Sequence, residues 1–476
     1  MSEDASPRPE EIAEENRRDE PVPTTHLRWA EALVRDQAAD RLLHVTARGW
    51  HFWNGAYWEL DTEDKRTLTE IAAFVTGYRN VPYEVGGDRA QRAFAAVARA
   101  EQDGYLNGVA AMLSRLVTCG ITELDPDHWL LCVENGVLNL RSLGLGEHRQ
   151  VLRQTMMCRA EWRPGALAGS LFEKAASEIF PGLVVREFVQ EMLGCTLAGL
   201  PLEQKALVFH GPKAGNGKST LLEAVAATLG SYARAADINL LTSADRHPEA
   251  LADLHRRRLA VFSELPEDKV LAEAGFKRIT GNDTVSVRHL YKDRFTFTPQ
   301  FSVVIGTNSL PRVSGDDEGT WRRLAVVPCD VIFAGDRDDK SVKYKLQQRP
   351  EERAACLEWL VLGLQRYLSR REGFRYAEPE EVTQRTQECR DDNDVVGQFL
   401  RDCIVPQEGA FTTYADLYRA FGTWFSQSQG QVTRHTQRSL TATLKKRRGL
   451  YDHKKAGERG LISVRLTMPV VEWPKA

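Results

Sequence analysis

The sequence is poor in the features that mark several protein classes. No apolar run approaches the roughly 18–20 residues that a membrane helix needs. The opening MSEDASPRPEE is acidic and has no apolar core, so it does not read as a secretory leader. The 8 cysteines (Cys119, Cys132, Cys158, Cys195, Cys329, Cys356, Cys389 and Cys403) form no CxxC pair, which argues against a zinc ribbon or a dithiol redox centre. Scattered in this way, they read as free, buried thiols of a reducing, cytoplasmic compartment. The 11 histidines form no HExxH or HxH cluster. There is no large excess of either charge: 63 Lys and Arg face 66 Asp and Glu, so contact with a polyanion has to come from local basic patches. At 476 residues and 42% hydrophobic, the chain has room for about three domains with ordinary cores.

Residues 1–24 hold eight acids, three arginines and four prolines, and are expected to be a disordered tail. A small α+β domain is expected over 25–160. It has a first helix over 26–41, an aromatic hairpin turning at Asn54-Gly55, helices near 64–78 and 88–116, and a second hairpin turning at Asn135-Gly136. The aromatic cluster of the first hairpin reads as core, with base stacking as the alternative. Residues 161–203 read as a linker and a helical collar, with Val185, Phe188, Val189, Met192 and Leu193 on one helix face. Four continuous apolar runs, at 206–209, 259–262, 301–305 and 324–327, then suit strands buried on both faces of a largely parallel sheet, giving an α/β unit over 204–375. The acidic stretch 376–394 reads as a linker. A final domain over 395–470 reads as winged-helix-like, with Thr433 capping its third helix and strands near 450–453 and 461–466. Residues 431–476 carry eleven Lys and Arg against three acids.

The strongest chemical signal is the run from Gly211 to Thr220, GPKAGNGKST, between an apolar strand and an apolar helical face. A glycine-rich turn there points several N–H groups, and the positive end of the helix, at one spot. Gly211, Gly215, Asn216, Gly217, Lys218, Ser219 and Thr220 are the expected triphosphate cradle. Lys218 would reach the β- and γ-phosphates and Ser219 would ligate magnesium. The spacing departs from the usual P-loop, because five residues rather than four separate Gly211 from Gly217. Glu264 ends the next buried strand, where it could polarise a water or hold magnesium through one. Asn308 ends the strand after that and could sense the γ-phosphate. Arg322 and Arg323 precede the last strand and could stabilise transition-state charge in a neighbouring subunit.

Together, GNGKST, the strand ending in Ser263-Glu264, FKRITGND (276–283), VIGTNSLP (304–311) and TWRRLAVVP (320–328) resemble the superfamily III helicases of the AAA+ class. They are most similar to the phage and plasmid primase-helicase family that includes the poxvirus primase-helicases. The likeness is strongest over about 200–335. NGVLNL (135–140) and the aromatic hairpin resemble the region that precedes the motor in that family, and the basic C-terminal segment resembles its winged helix.

The resemblance implies an ATP- and magnesium-dependent DNA helicase of a phage, prophage or plasmid, acting as a head-to-tail ring, by family likeness a hexamer. It gives Lys218, Ser219, Glu264 and Asn308 the roles above, and the trans-acting role to Arg322 or Arg323. Lys277 and Asp283 fall in the motif between the acid and the sensor. The following hairpin, with Arg288, His289, Tyr291 and Lys292 at its tip, would line a pore and grip single-stranded DNA. Arg434, Arg438, Lys445 and Arg447 would lie near DNA phosphates in the C-terminal domain. The partners implied are single-stranded and forked DNA and a separate primase or polymerase, since a primase domain is expected to be missing; no membrane is implied. A loader or remodeller of a replication partner and an origin-binding initiator without unwinding activity are the competing readings.

Overall fold

The computed structural model describes residues 21–243, 247–265, 269–288, 294–313, 318–369, 378–429, 436–447 and 449–467. Near the N-terminus, Thr25 caps the helix His26–Arg35 by accepting the Arg28 N–H at 3.3 Å. The aromatic hairpin forms as Gly49–Trp53 and Trp58–Leu60, with Trp53 opposite Trp58. Its turn is held by the Asn54 side chain, which accepts the N–H groups of Ala56 and Tyr57, and Gly55 takes a φ of +101°. Trp50 and Phe52 are buried beside the helices Lys65–Gly77, Gly87–Ala100 and Asp103–Leu116, and Trp58 is buried in a smaller cluster with Leu43, Val45, Cys119 and Leu124, so most of this cluster is core rather than a stacking surface.

The second hairpin, Leu130–Val133 with Gly136–Asn139, packs differently from the expectation. Its Leu131, Val133 and Leu138 share a hydrophobic cluster with Leu207 and Phe209 of the central sheet. Arginines stitch this seam. The Arg258 guanidinium lies 4.5 Å from the centre of the Tyr232 ring and donates to the Leu130 carbonyl at 2.8 Å. Arg256 pairs with the buried Asp125 at 3.5 Å.

Five parallel strands form the central sheet: Ala206–His210, Ala233–Ala235, Leu259–Ser263, Ser302–Thr307 and Leu324–Pro328. Numbered one to five along the chain, they lie in the order 5-1-4-3-2. Alternate residues feed separate cores. Leu207, Phe209, Val304, Ala325 and Val327 pack with the helices Lys218–Leu229, Leu183–Cys195 and Pro350–Ser369. Ala206, Val208, Phe262, Val303, Ile305 and Val326 pack on the other side with Phe276 and Ile279 of the helix Glu273–Thr280. Burial on both faces explains why these strands read as unbroken apolar runs.

The acidic stretch expected as a linker is instead the helix Glu380–Asn393, docked on the fifth strand, where Thr386 Oγ1 accepts the Val326 N–H at 2.9 Å. Its acids face outward while Val382 and Cys389 are buried, so charge alone misread it. The C-terminal unit holds the helices Val395–Cys403, Tyr414–Gln429 and Gln437–Lys446 and a sheet in the order Ile404–Thr413, Glu458–Leu466, Tyr451–Lys455. Its third described helix is capped by Thr436, which accepts the Ser439 N–H at 3.2 Å; Thr433 lies outside the described residues.

Candidate functional site

The carboxyl ends of strands one, three and four converge. Strand one ends at His210 and the glycine loop begins. Gly211 is the close-packed position of that loop: a Cβ there would stand 1.8 Å from Asn216 Nδ2 and 2.6 Å from the Cys329 carbonyl. The extra residue of the loop is absorbed locally. Asn216 is buried and donates its side-chain amide to the Lys213 carbonyl at 2.8 Å, and the Phe333 N–H ties down the Gly215 carbonyl at 2.7 Å. Gly215 and Gly217 both take φ of +76°, a conformation that side chains resist. Helix Lys218–Leu229 starts immediately after, its first N–H groups directed at the loop.

Lys218 is buried, and its ammonium donates to the Gly211 carbonyl at 3.0 Å and to Asn308 Oδ1 at 2.9 Å. Burial lowers its pKa from the ordinary lysine value, with no carboxylate hydrogen-bonded to the ammonium among the described residues to oppose this. Ser219 is exposed on the first turn and Thr220 is half-buried.

Glu264 is exposed at the end of strand three, in register with strand four: its N–H bonds the Gly306 carbonyl at 2.9 Å. It takes a φ of +53°, which is costly for a non-glycine residue and is sustained only where the surroundings impose it. Strand four lies between the acid and the glycine loop, so Glu264 and the cradle are two strand spacings, about 10 Å, apart on one edge of the sheet. A crevice at the carboxyl edge, beside the strand where the order reverses, is where open α/β sheets bind ligands.

Three further residues at this edge carry no motif signal. His210 Nδ1 lies 3.1 Å from an Arg385 nitrogen, and Arg385 also pairs with Asp330 at 3.1 Å. Burial, then the Arg385 charge, lowers the His210 pKa. Arg385 sits on the helix Glu380–Asn393, more than 160 residues downstream of the glycine loop, so only the tertiary fold brings it here.

Arg322 and Arg323 occupy the opposite edge. Leu324 pairs with Ala206 at the start of strand one, and the Arg323 carbonyl accepts the Ala206 N–H at 2.7 Å. A five-residue strand, about 16 Å, therefore separates them from the loop of their own chain. The two differ: Arg323 is half-buried and donates to the Gly319 carbonyl at 2.7 Å, while Arg322 is exposed.

Among the remaining sequence candidates, the hairpin forms as Val285–Arg288 and Arg294–Phe297, anchored by the buried Val285, Val287, Phe295 and Phe297. Arg288 pairs with Glu249 at 3.2 Å, and Lys277 with Glu273 at 2.7 Å. His289, Tyr291, Lys292 and Arg434 lie outside the described residues. Asp283 lies in the loop after the helix Glu273–Thr280 and Arg438 is exposed. Lys445 pairs with Asp452 at 2.9 Å and Arg447 with Asp394. Among the described residues no group of three His, Cys, Asp or Glu side chains could hold a metal ion, and no helix is long and apolar enough to cross a membrane.

Two family models match the chain: "D5 N terminal like" over residues 30–181 and "Family of unknown function (DUF5906)" over 209–323. Two relatives carry the name "Putative helicase". The protein L207/L206 of Acanthamoeba polyphaga mimivirus is 32% identical over 270 residues, covering 53% of this chain and 28% of its own length. The protein 022R of Frog virus 3 is 25% identical over 273 residues, with 54% and 28% covered. The chain thus spans little more than a quarter of these relatives. An apo structure of the NrS-1 C-terminal region aligns with a TM-score of 0.40 at 12% identity, covering 65% of this chain and 77% of that one, a score too low to establish a common fold.

Proposed function

The chain is a relative of the phage and viral primase-helicase family, and from that premise we propose that it is an ATP-dependent DNA helicase motor that works as a ring on single-stranded DNA. The observation that carries this reading is the convergence of Lys218, Asn308 and Glu264 on one edge of the sheet, with Lys218 and Asn308 in contact at 2.9 Å. In this reading residues 204–375 are an AAA+ core, 25–160 an accessory domain and 395–470 a winged-helix-like domain.

The residues present fit magnesium ATP. Gly215 and Gly217 hold the loop in its positive-φ turn, and the helix start offers N–H groups to phosphate oxygens. Magnesium binds through one or two protein groups together with substrate phosphates, which suits an exposed Ser219 and an exposed Glu264 better than an all-protein cage. Bound metal and nucleotide supply the electrophilic phosphorus and screen its charge. Lys218 exchanges its carbonyl and amide partners for phosphate oxygens. Asn308, released from Lys218, turns to the terminal phosphate or its water, and Glu264 orients that water from the neighbouring strand.

The arginine edge gives the oligomer its rationale. Arg322 lies a strand's length from its own cradle, so it serves the site of an adjacent subunit, and repetition of that contact closes a ring. Exposure favours Arg322 for this role, with Arg323 holding the helix-to-strand corner through Gly319.

The test is ATP hydrolysis and unwinding of 3′- and 5′-tailed forks. Lys218→Ala should lose nucleotide binding, while Glu264→Gln should bind ATP but hydrolyse it at least about a hundredfold more slowly. Arg322→Ala should lose hydrolysis by about a thousandfold and recover part of it when mixed with Lys218→Ala protein, because a mixed interface restores one complete site. Glu264→Gln hydrolysing at the parent rate would overturn the reading. Hydrolysis without fork opening would favour a remodeller.

A further inference from the structure

The N-terminal region and the α/β core meet across a seam that receives arginines from both sides. On the N-terminal side, the strand Leu42–Val45 turns back into the aromatic hairpin at Arg48, whose N–H bonds the Val45 carbonyl at 3.0 Å. Val45 pairs with Cys119 and the Thr46 N–H bonds the Cys119 carbonyl at 3.1 Å, so this turn lies beside the segment that continues to Ile121. From the core side, Arg256 donates to the Ile121 carbonyl at 2.5 Å and pairs with Asp125. Its neighbour Arg257 donates to the Ser231 carbonyl, just before strand two. The seam therefore runs along the amino ends of strands two and three, away from the glycine loop.

Charge in this seam does not balance. Arg48, Arg153, Arg234, Arg256 and Arg257 gather around the turn and Cys119, facing Glu123, Asp125 and Asp253. Each carboxylate is already engaged. Asp125 pairs with Arg256 and accepts the Thr155 N–H at 2.8 Å and its hydroxyl at 2.5 Å. Asp253 pairs with Arg234 at 3.3 Å, and Glu123 accepts the Gly120 N–H at 2.6 Å. Among the described residues no group hydrogen-bonds to the half-buried Arg48 and Arg153 guanidinium groups or pairs with them as an ion. Arg256 Nε is also buried with its N–H unused. Burial, then the Arg256 and Arg257 charges, hold the Arg48 pKa down at about 10, so at neutral pH it is a cation short of a counter-ion. The seam opens to solvent where the Arg234 and Asp253 side chains are half exposed. It also adjoins the hairpin expected to grip DNA: the His255 ring, next in sequence to Arg256, stands 5.0 Å from both Phe295 and Phe297, and Glu249 pairs with Arg288.

We propose that this seam holds a backbone phosphate of the single strand that the hairpin engages, with Arg48 and Arg153 as the two open contacts. A guanidinium presents a planar fork of donors that matches two phosphate oxygens, and it gives up its hydration more readily than an ammonium does. The bound phosphate supplies the counter-ion that the fold withholds, and the contact carries no base information. The proposal rests on the helicase reading for the presence of the strand. It needs neither nucleotide nor hydrolysis, so the two fail separately.

The test is fluorescence anisotropy of labelled oligo-dT over a series of salt concentrations, without nucleotide, on the full chain and on its Lys218→Ala variant. Arg48→Ala and Arg153→Ala should each lower the salt slope by about 0.7, the share of one phosphate contact on a single strand, which is about fivefold in affinity near 0.1 M salt. Arg48→Lys keeps the charge and should keep the slope. The melting temperature of Arg48→Ala should not fall, because its guanidinium bonds nothing in the fold. The same effects should appear in the Lys218→Ala background, which reports on the seam even if ATP-driven unwinding is absent. Parent slope and affinity in both alanine variants overturn the proposal, as does an Arg48→Lys slope as low as that of Arg48→Ala. Inorganic phosphate that raises the melting temperature of the parent but not of Arg48→Ala, with oligo-dT affinity the same in both, would assign the seam to a free anion and overturn it as well.

Discussion

Gly217 is the most constrained residue of the cradle, and replacing it with alanine isolates what the loop geometry demands. Two costs add. The backbone sits at φ +76°, which disfavours an L-residue by roughly 1–2 kcal/mol. The new methyl would also stand 2.5 Å from Ile179 Cγ1 and 2.9 Å from its Cδ1. Ile179 is 3% exposed within the main core, so it has little room to retreat, and overpacking of this kind costs about 1–3 kcal/mol. The expected destabilisation is therefore about 2–5 kcal/mol in chemical denaturation, with ATP affinity lost in step because the helix start moves. Trimming the obstacle separates the terms. Gly217→Ala in an Ile179→Ala background should recover the steric part and keep the backbone part, a positive coupling of about 1–3 kcal/mol in a double-mutant cycle. A single Gly217→Ala variant with parent stability and parent nucleotide affinity would refute the reasoning, as would a cycle with no coupling.

Further outcomes follow from other contacts. Asn308→Ala removes the acceptor that holds the Lys218 ammonium, and steady-state ATP turnover should fall by about a hundredfold with smaller change in nucleotide affinity. Because burial lowers the Lys218 pKa, nucleotide binding measured against pH should weaken at a lower alkaline pH than an exposed lysine would give. The stability sign is the reverse: charged Lys218 is disfavoured in the fold, so its penalty is relieved as pH rises through its folded pKa. Asp125→Ala would strand the buried Arg256 and leave Thr155 without its acceptor, and should cost about 3–5 kcal/mol in urea titration. All eight cysteines are buried, and burial raises the Cys132, Cys329 and Cys356 thiols to about 12, so a thiol reagent should label the native chain slowly and the denatured chain fast.

The parts legible in the sequence were those with local causes. Strands buried on two faces announced themselves as apolar runs, the Asn-Gly turns marked both hairpins, and the glycine loop stood beside its strand and helix. What escaped had non-local causes. The helix Glu380–Asn393 is stabilised by the few residues it sets against the fifth strand, and its acidic outer face hid that periodicity. His210, Arg385 and Asp330 meet only because the end of strand one, the segment after strand five and that helix come together. The hairpin at 130–139 had the correct turn and the wrong neighbour, since nothing in its own residues tells which core receives Leu131 and Leu138. The difference between Arg323, turned back on the Gly319 carbonyl, and the exposed Arg322 was not legible either, since it depends on how one short helix meets a strand.

Strand four has two ends with different company. Four residues outside any strand, 298–301, join it to the hairpin arm Arg294–Phe297, while Ser302–Thr307 leads directly into Asn308 and is hydrogen-bonded along both sides to strands one and three. Six residues in that setting form a rod of about 20 Å that neither stretches nor bends easily. A displacement of its amino end along the strand axis would therefore reach the amide touching Lys218 as a displacement of the whole rod.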